Sequence, residues 1–74
     1  MKLRYTAHSP ADSDDTLVKD ELSVPDDAGD IAVIGALVNA VERKAVADPG
    51  SQMRVIAWRD QEPDPHYWHS WDHA

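Results

Sequence analysis

Alternation of apolar and polar residues predicts strands near both ends of the chain. Residues 2–8 place Leu3, Tyr5 and Ala7 on one side with polar residues between them, the period of two that is typical of a half-buried strand. Residues 53–59 carry apolar side chains on both sides, which favours a strand well inside a sheet or one whose outer face is covered. Residues 66–73 fit a strand that pairs with residues 53–59, with a helical turn as the alternative.

Residues 16–24 fit two structures. As a strand, they place Val18, Leu22 and Val24 on one side, and as a short helix they bring Leu17 and Val18 close to Leu22. We favour the strand, because Leu22-Ser23-Val24-Pro25 resembles extended chain that enters a helix. The proline ends either element.

Residues 27–47 predict the clearest element, an amphipathic helix. Asp26 or Asp27 can cap it, and the segment Ala47-Asp48-Pro49-Gly50 stops it. Its apolar residues recur at spacings of three and four and form one broad stripe: Ile31, Ile34, Leu37, Val38, Val41 and Ala45.

The other side of this predicted helix carries small residues. A small-residue face lets a second backbone come close, so it is compatible with a homodimer or with a structural role in an assembly. Alanine is also the best helix former on an exposed face, which gives the same pattern without any partner. The residues concerned are Ala32, Gly35, Ala36, Asn39 and Glu42.

Together these elements predict a small α+β fold. We expect a single domain over residues 1–74, with one helix on a three- or four-stranded, mostly antiparallel sheet in the order ββαββ, or βαββ if residues 16–24 are helical. An acidic loop at 9–16 and a proline-containing loop at 60–65 connect the strands. The predicted core comprises part of the tryptophan set and Leu3, Tyr5, Val18, Leu22, Ile31, Ile34, Leu37, Val38, Val41, Val55 and Ala57.

The charge and composition of the chain disfavour or exclude several classes of function. Its 14 acidic and 7 basic residues give a net charge of −7, which disfavours direct binding to a phosphate backbone. Cysteine is absent, so disulfides and thiolate metal sites are excluded. The sequence contains no apolar run long enough for a membrane span and no signal peptide, and we therefore expect a soluble, cytoplasmic protein.

No catalytic motif is present, so we expect a non-enzymatic protein without a cofactor. The acidic residues of the first half fit a solvated loop that keeps a small protein soluble, or a surface for a protein partner with a basic surface. One version is a small inhibitor or regulator that blocks a nucleic-acid-binding site, as phage or mobile-element proteins can. Trp68 and Trp71 would anchor such an interface, and the acidic candidates are Asp12, Asp14, Asp15, Asp20, Glu21, Asp26 and Asp27.

The histidines near the C-terminus offer a different class of function. His66, His69 and His73 follow the spacing H-x2-H-x3-H, and on a helix the last two would lie one turn apart. Imidazoles at that spacing bind Zn²⁺, Ni²⁺ or Cu²⁺. A metal-binding protein is therefore the main alternative.

Overall fold

The fold of the protein is one helix on a four-stranded antiparallel sheet, as the sequence predicts. A computed structural model describes residues 1–9, 16–45 and 48–74. The acidic loop candidates Asp12, Asp14 and Asp15 lie outside the described residues. The elements are β1 (Lys2–His8), β2 (Thr16–Ser23), α1 (Asp30–Lys44), β3 (Gln52–Arg59) and β4 (Tyr67–Asp72).

The sheet has the order β2-β1-β3-β4, and every neighbouring pair is antiparallel. The prediction of a strand at residues 16–24 is therefore confirmed. So is the interior place of β3, because this strand lies between β1 and β4. A register shift between Ala7 and His8 interrupts the β1–β2 ladder.

Helix α1 packs on one face of the sheet, and the core lies between the two layers. Alternate residues of β1 and β3 point toward the helix and are buried, as the period of two requires. The core contains the predicted Leu3, Tyr5, Val18, Leu37, Val41, Val55 and Ala57, and also Ala7, Val24, Val33, Met53 and Tyr67.

The buried stripe of α1 is rotated relative to the prediction. Val33, Leu37 and Val41 are fully buried, at positions i, i+4 and i+8. Ile31, which we expected in the core, is 90% exposed. At about 100° per residue it lies roughly 200° around the helix from Val33, so the core prediction is wrong at this residue.

The rotation also changes the small-residue side of α1. Ala36 packs against the core together with Ala40, where small side chains let the helix approach the sheet. Ala32, Gly35 and Asn39 are exposed. The predicted small face is therefore divided between the core and the surface, and self-association through it stays a prediction.

The start of α1 also differs from the expected capping. Gly29 is the N-cap residue and makes no side-chain hydrogen bond. Asp26, one of the two expected caps, instead forms an ion pair with the N-terminal ammonium group. The first strand and the β2–α1 connection are joined at this point, since Val24 and Met1 also exchange hydrogen bonds.

The last turn of α1 is attached to the sheet on both sides. Toward β1 and β2, the Lys44 ammonium group donates to the Tyr5 hydroxyl at 3.2 Å and forms an ion pair with Asp20. Toward β4, Glu42 accepts a hydrogen bond from the indole of Trp71 at 2.6 Å. These polar contacts fix the helix over the sheet at the edges of a small core.

Two glycines allow a matched test of the backbone. Gly35 is exposed in the middle of α1, and a Cβ atom added there meets no atom within 4 Å. We expect Gly35→Ala to raise the free energy of unfolding by about 0.5–1 kcal/mol, because alanine loses less backbone entropy in a helix.

The control is Gly50→Ala. A Cβ atom is equally free of contacts there, but Gly50 has a φ of 84°. This left-handed conformation costs alanine about 1–2 kcal/mol, so the free energy of unfolding should fall. Urea denaturation measures both variants, and equal effects would contradict this assignment of helix and turn.

Candidate functional site

The face of the sheet that points away from α1 is uncovered by the described residues. Strand registers place the even-numbered residues of β1, β3 and β4 on this face, with Lys19, Glu21 and Ser23 of β2 opposite Thr6, Arg4 and Lys2 of β1. None of these side chains is buried. We call this surface the open face: Lys2, Arg4, Thr6, His8, Lys19, Glu21, Ser23, Gln52, Arg54, Ile56, Trp58, Trp68, Ser70 and Asp72.

Three large apolar side chains lie together on the open face. Ile56 of β3 is directly opposite Trp68 of β4 in the register, and Trp58 lies two residues farther along β3. Trp68 is 67% exposed, whereas Ile56 and Trp58 are half-buried. An indole exposed beside other apolar groups is typical of a surface that a partner covers.

The open face is positive on a negative protein. Four of the seven Lys and Arg residues lie on it (Lys2, Arg4, Lys19 and Arg54), against two acidic residues from the part of the chain that the structure describes (Glu21 and Asp72). The described residues of the open face therefore carry a formal charge of +2, although the whole chain has −7.

A depression of about 510 Å³ lies over β1 and its two neighbouring strands. Its lining includes Arg4 and Thr6 of β1, Lys19 and Glu21 of β2, and Trp58 of β3. The carbon of the Arg4 guanidinium group is 5.9 Å from the centre of the Trp58 ring, a cation–π geometry. Arg4 also donates to the carbonyl oxygen of Glu62 at 3.1 Å, which holds its side chain at the rim.

The acidic partner-binding candidates do not form one surface. Asp20 points to the helix side of β2 and is paired with Lys44, while Glu21 lies on the open face and is paired with Lys2 at 3.1 Å. Asp26 and Asp27 follow the C-terminal end of β2, where Asp26 pairs with the N-terminus. Three of the four candidates within the described residues thus already have a cationic partner in the chain.

These ion pairs shift the acidic pKa values. The Lys44 ammonium group lowers the pKa of Asp20, mainly through its hydrogen bond, and the backbone N–H of Glu21 adds to the effect. The N-terminal ammonium group lowers the pKa of Asp26 in the same way. Both carboxylates are therefore held in their charged form by contacts inside the molecule.

The two tryptophan candidates have different roles. Trp68 belongs to the open face, but Trp71 points to the helix side and packs against the core, where its indole donates to Glu42. Glu42 also accepts from the backbone N–H of Ala74 at 3.3 Å and faces the His73 imidazole. Trp71 is thus part of the contact that joins β4 to α1.

Hydrogen-bond donors stabilise the charged form of the Glu42 carboxylate. Desolvation at the helix–sheet contact raises its pKa, but the indole of Trp71, the backbone of Ala74 and the charge of His73 act together in the opposite direction. The net result is a pKa below the ordinary value of 4.5.

The three histidines proposed as metal ligands are separated. His66 is exposed before β4 and its ring meets Tyr67 edge to face at 4.7 Å. His69 stacks on Trp71 with 6.2 Å between ring centres, and His73 faces Glu42. Within residues 1–9, 16–45 and 48–74, no group of three or more metal-ligating side chains is assembled. Metal binding stays a prediction of the sequence.

Sequence reasoning did not identify Arg4, Lys19, Arg54, Ile56 and Trp58 as one surface. The parity of strand β3 places Arg54 and Arg59 on opposite faces, but the neighbours of Arg54 on β1 and β4 depend on the strand order. The sequence did indicate that one face of the sheet is uncovered, because it predicts a single helix and one helix can cover only one face of a sheet.

Comparisons with known proteins add no family and no relative. No family model matches the chain, and neither a curated protein nor a solved structure is similar to it. In the part of the chain that the structure describes, no helix is long and apolar enough to cross a membrane.

The Glu42 contacts predict a pH-dependent contribution to stability. A carboxylate whose pKa is lowered by folding stabilises the native state at neutral pH, and this contribution is lost as the pH falls through its folded-state pKa. We expect Glu42→Gln to lower the free energy of unfolding at pH 7 by about 1–2 kcal/mol, because it weakens the hydrogen bonds to a charged acceptor.

The difference between Glu42→Gln and the wild type should shrink as the pH falls below 4.5, the ordinary pKa of the carboxyl group. Urea denaturation at a series of pH values measures it. Asp27→Asn is the control, since Asp27 is exposed and has no ion-pair partner among the described residues. A difference that stays constant on acidification would contradict the role assigned to Glu42.

Proposed function

We propose that this chain is a non-enzymatic protein-binding module whose contact surface is the open face. The observation that carries the proposal is Trp68, which is 67% exposed beside Ile56 on a face that the described residues leave uncovered. Covering an indole removes a large apolar area from water, which is the dominant favourable term in protein association.

The chemistry of the open face supports a protein partner. Tryptophan and arginine are the residues most enriched at the energetic centres of protein interfaces, and this face combines Trp58 and Trp68 with Arg4 and Arg54. A nucleic-acid backbone is a weaker candidate, since the net charge of −7 repels a polyanion over distances comparable with the Debye length of about 10 Å.

The acidic residues bear on the kind of partner that the chain would bind. A basic partner surface and an inhibitory role remain proposals that rest on the acidic composition of the chain. Asp27 is the one described acidic candidate that is free of an ion pair within residues 1–9, 16–45 and 48–74. The open face therefore contributes more to this proposal than the acidic residues do.

Two exposed apolar residues on opposite sides of the molecule allow a matched test. Tagged wild-type protein, Trp68→Ala and Ile31→Ala are used as bait in lysate from the source cell. We expect a protein retained by the wild type to be retained by Ile31→Ala and lost with Trp68→Ala, because Ile31 is 90% exposed on α1, away from the open face. Mass spectrometry of the retained proteins gives the readout.

The result that contradicts the proposal is equally specific. A partner that Trp68→Ala retains, or one that only Ile31→Ala loses, would move the contact surface to the helix side. Circular dichroism of each variant confirms that the fold is intact before binding is compared.

A further inference from the structure

The open face carries both a projecting side chain and a depression that fits it. Trp68 projects from the edge strand β4 and is the most exposed aromatic residue of the described chain. The depression of about 510 Å³ lies over β1, toward the opposite edge of the same face. Its volume is in the range of sites that hold a small organic molecule, so it can accommodate an indole ring.

The strand registers fix how these two features are related. Lys19, Thr6, Ile56 and Trp68 form one row across the sheet. Glu21, Arg4 and Trp58 form the next row. The depression is lined by Lys19 and Thr6 of the first row and by all three residues of the second row. Trp68 lies at the far end of the first row, beyond Ile56.

We propose that the open face binds the open face of a second copy of this chain, with Trp68 of each copy in the depression of the other. This inference rests on the proposed function and names the partner. A twofold axis parallel to the strands, between β1 and β3, sets β4 of one copy over β2 of the second copy. Such an interface is isologous, because each copy offers the same projection and the same depression.

This axis places complementary groups opposite each other. The ring of Trp68 meets Lys19 of the second copy, which brings a cation to an aromatic face, an attractive arrangement. The Arg4 and Trp58 side chains of one copy, which already lie against each other, face the same two side chains of the second copy. Ile56 lies near the axis, opposite Thr6 of the second copy, and gives the interface an apolar centre.

The size of the open face predicts a weak dimer. Four strands at about 4.8 Å and six residues at about 3.3 Å give a flat footprint of roughly 400 Å² per copy. The total of roughly 800 Å² is below the 1,200–2,000 Å² that is typical of stable complexes. We therefore expect a dissociation constant on the order of 100 µM, in the range of transient interfaces.

Charge gives this dimer a distinctive salt dependence. Each copy has a net charge of −7, so the two copies repel each other, and salt screens that repulsion. Dimerisation should become tighter as the ionic strength rises from about 0.1 M to about 1 M, where the Debye length falls from about 10 Å to about 3 Å. The affinity of a basic partner for the acidic residues would instead fall as the ionic strength rises.

Sedimentation equilibrium tests the proposal on the purified full chain, from about 10 µM to about 2 mM, a range that brackets the expected dissociation constant. The average mass of the wild type should rise from the monomer value of 8.2 kDa toward that of a dimer. Trp68→Ala should weaken dimerisation tenfold or more, and Lys19→Ala about two- to fivefold. Ile31→Ala should dimerise like the wild type.

Each remaining outcome overturns the proposal. A monomeric mass over the whole range excludes the second copy as the occupant, while the proposed function survives if the lysate experiment still captures a different protein through Trp68. A dimer that Trp68→Ala and Lys19→Ala leave unchanged, or that Ile31→Ala abolishes, places the contact on another surface.

Discussion

The structure depends on one constraint, which is that a single helix covers only one face of a four-stranded sheet. The helix buries Val33, Leu37 and Val41 in the core between the helix and the sheet. In a chain of 74 residues, no second layer of described residues exists to cover the other face. Apolar side chains on that face, above all Trp68, therefore remain in contact with water.

On the helix-covered face of the sheet, polar contacts at the margins of the small core add to the attachment of the helix. Lys44 joins the last turn of α1 to Tyr5 and Asp20, and Glu42 joins the same turn to Trp71 and the C-terminal residues. Domains of this size bury a smaller fraction of their surface than large domains do, so contacts that fix the helix on both sides have a large relative effect. Trp71, one of the two tryptophans proposed for binding, is part of these structural contacts.

The architecture could be predicted from the sequence because period-two alternation and a three-to-four spacing are local signals. Strand β1 and the helix were predicted on that basis, strands β2 and β4 were favoured over a helical alternative, and apolar residues on both faces of β3 fitted an interior strand. The rotation of α1 could not be predicted in the same way. The stripe that included Ile31 is at least as apolar as the buried one, so apolar spacing alone does not distinguish them, and the buried side includes the small residues Ala36 and Ala40.

The candidate site could be predicted in part for a related reason. Trp68 was a candidate interface anchor, but the sequence did not decide whether it is packed or exposed, and its neighbours Arg4, Ile56 and Trp58 come from strands that are distant in the sequence. The order β2-β1-β3-β4 brings them together, and strand order is a non-local property. The acidic residues were expected to form a binding surface because they are numerous along the chain. The sequence does not show that Asp20, Glu21 and Asp26 form ion pairs within the molecule.

The most direct test of the central claim is a nuclear magnetic resonance map of the surface that the bound protein covers. The isotope-labelled chain is recorded while unlabelled copies, or a captured partner, are added. The account predicts that the indole N–H signals of Trp58 and Trp68 and the amides around Thr6 and Ile56 change, while those of Ala32, Gly35 and Asn39 do not. Changes confined to the helix residues would contradict it and would make α1 the binding surface.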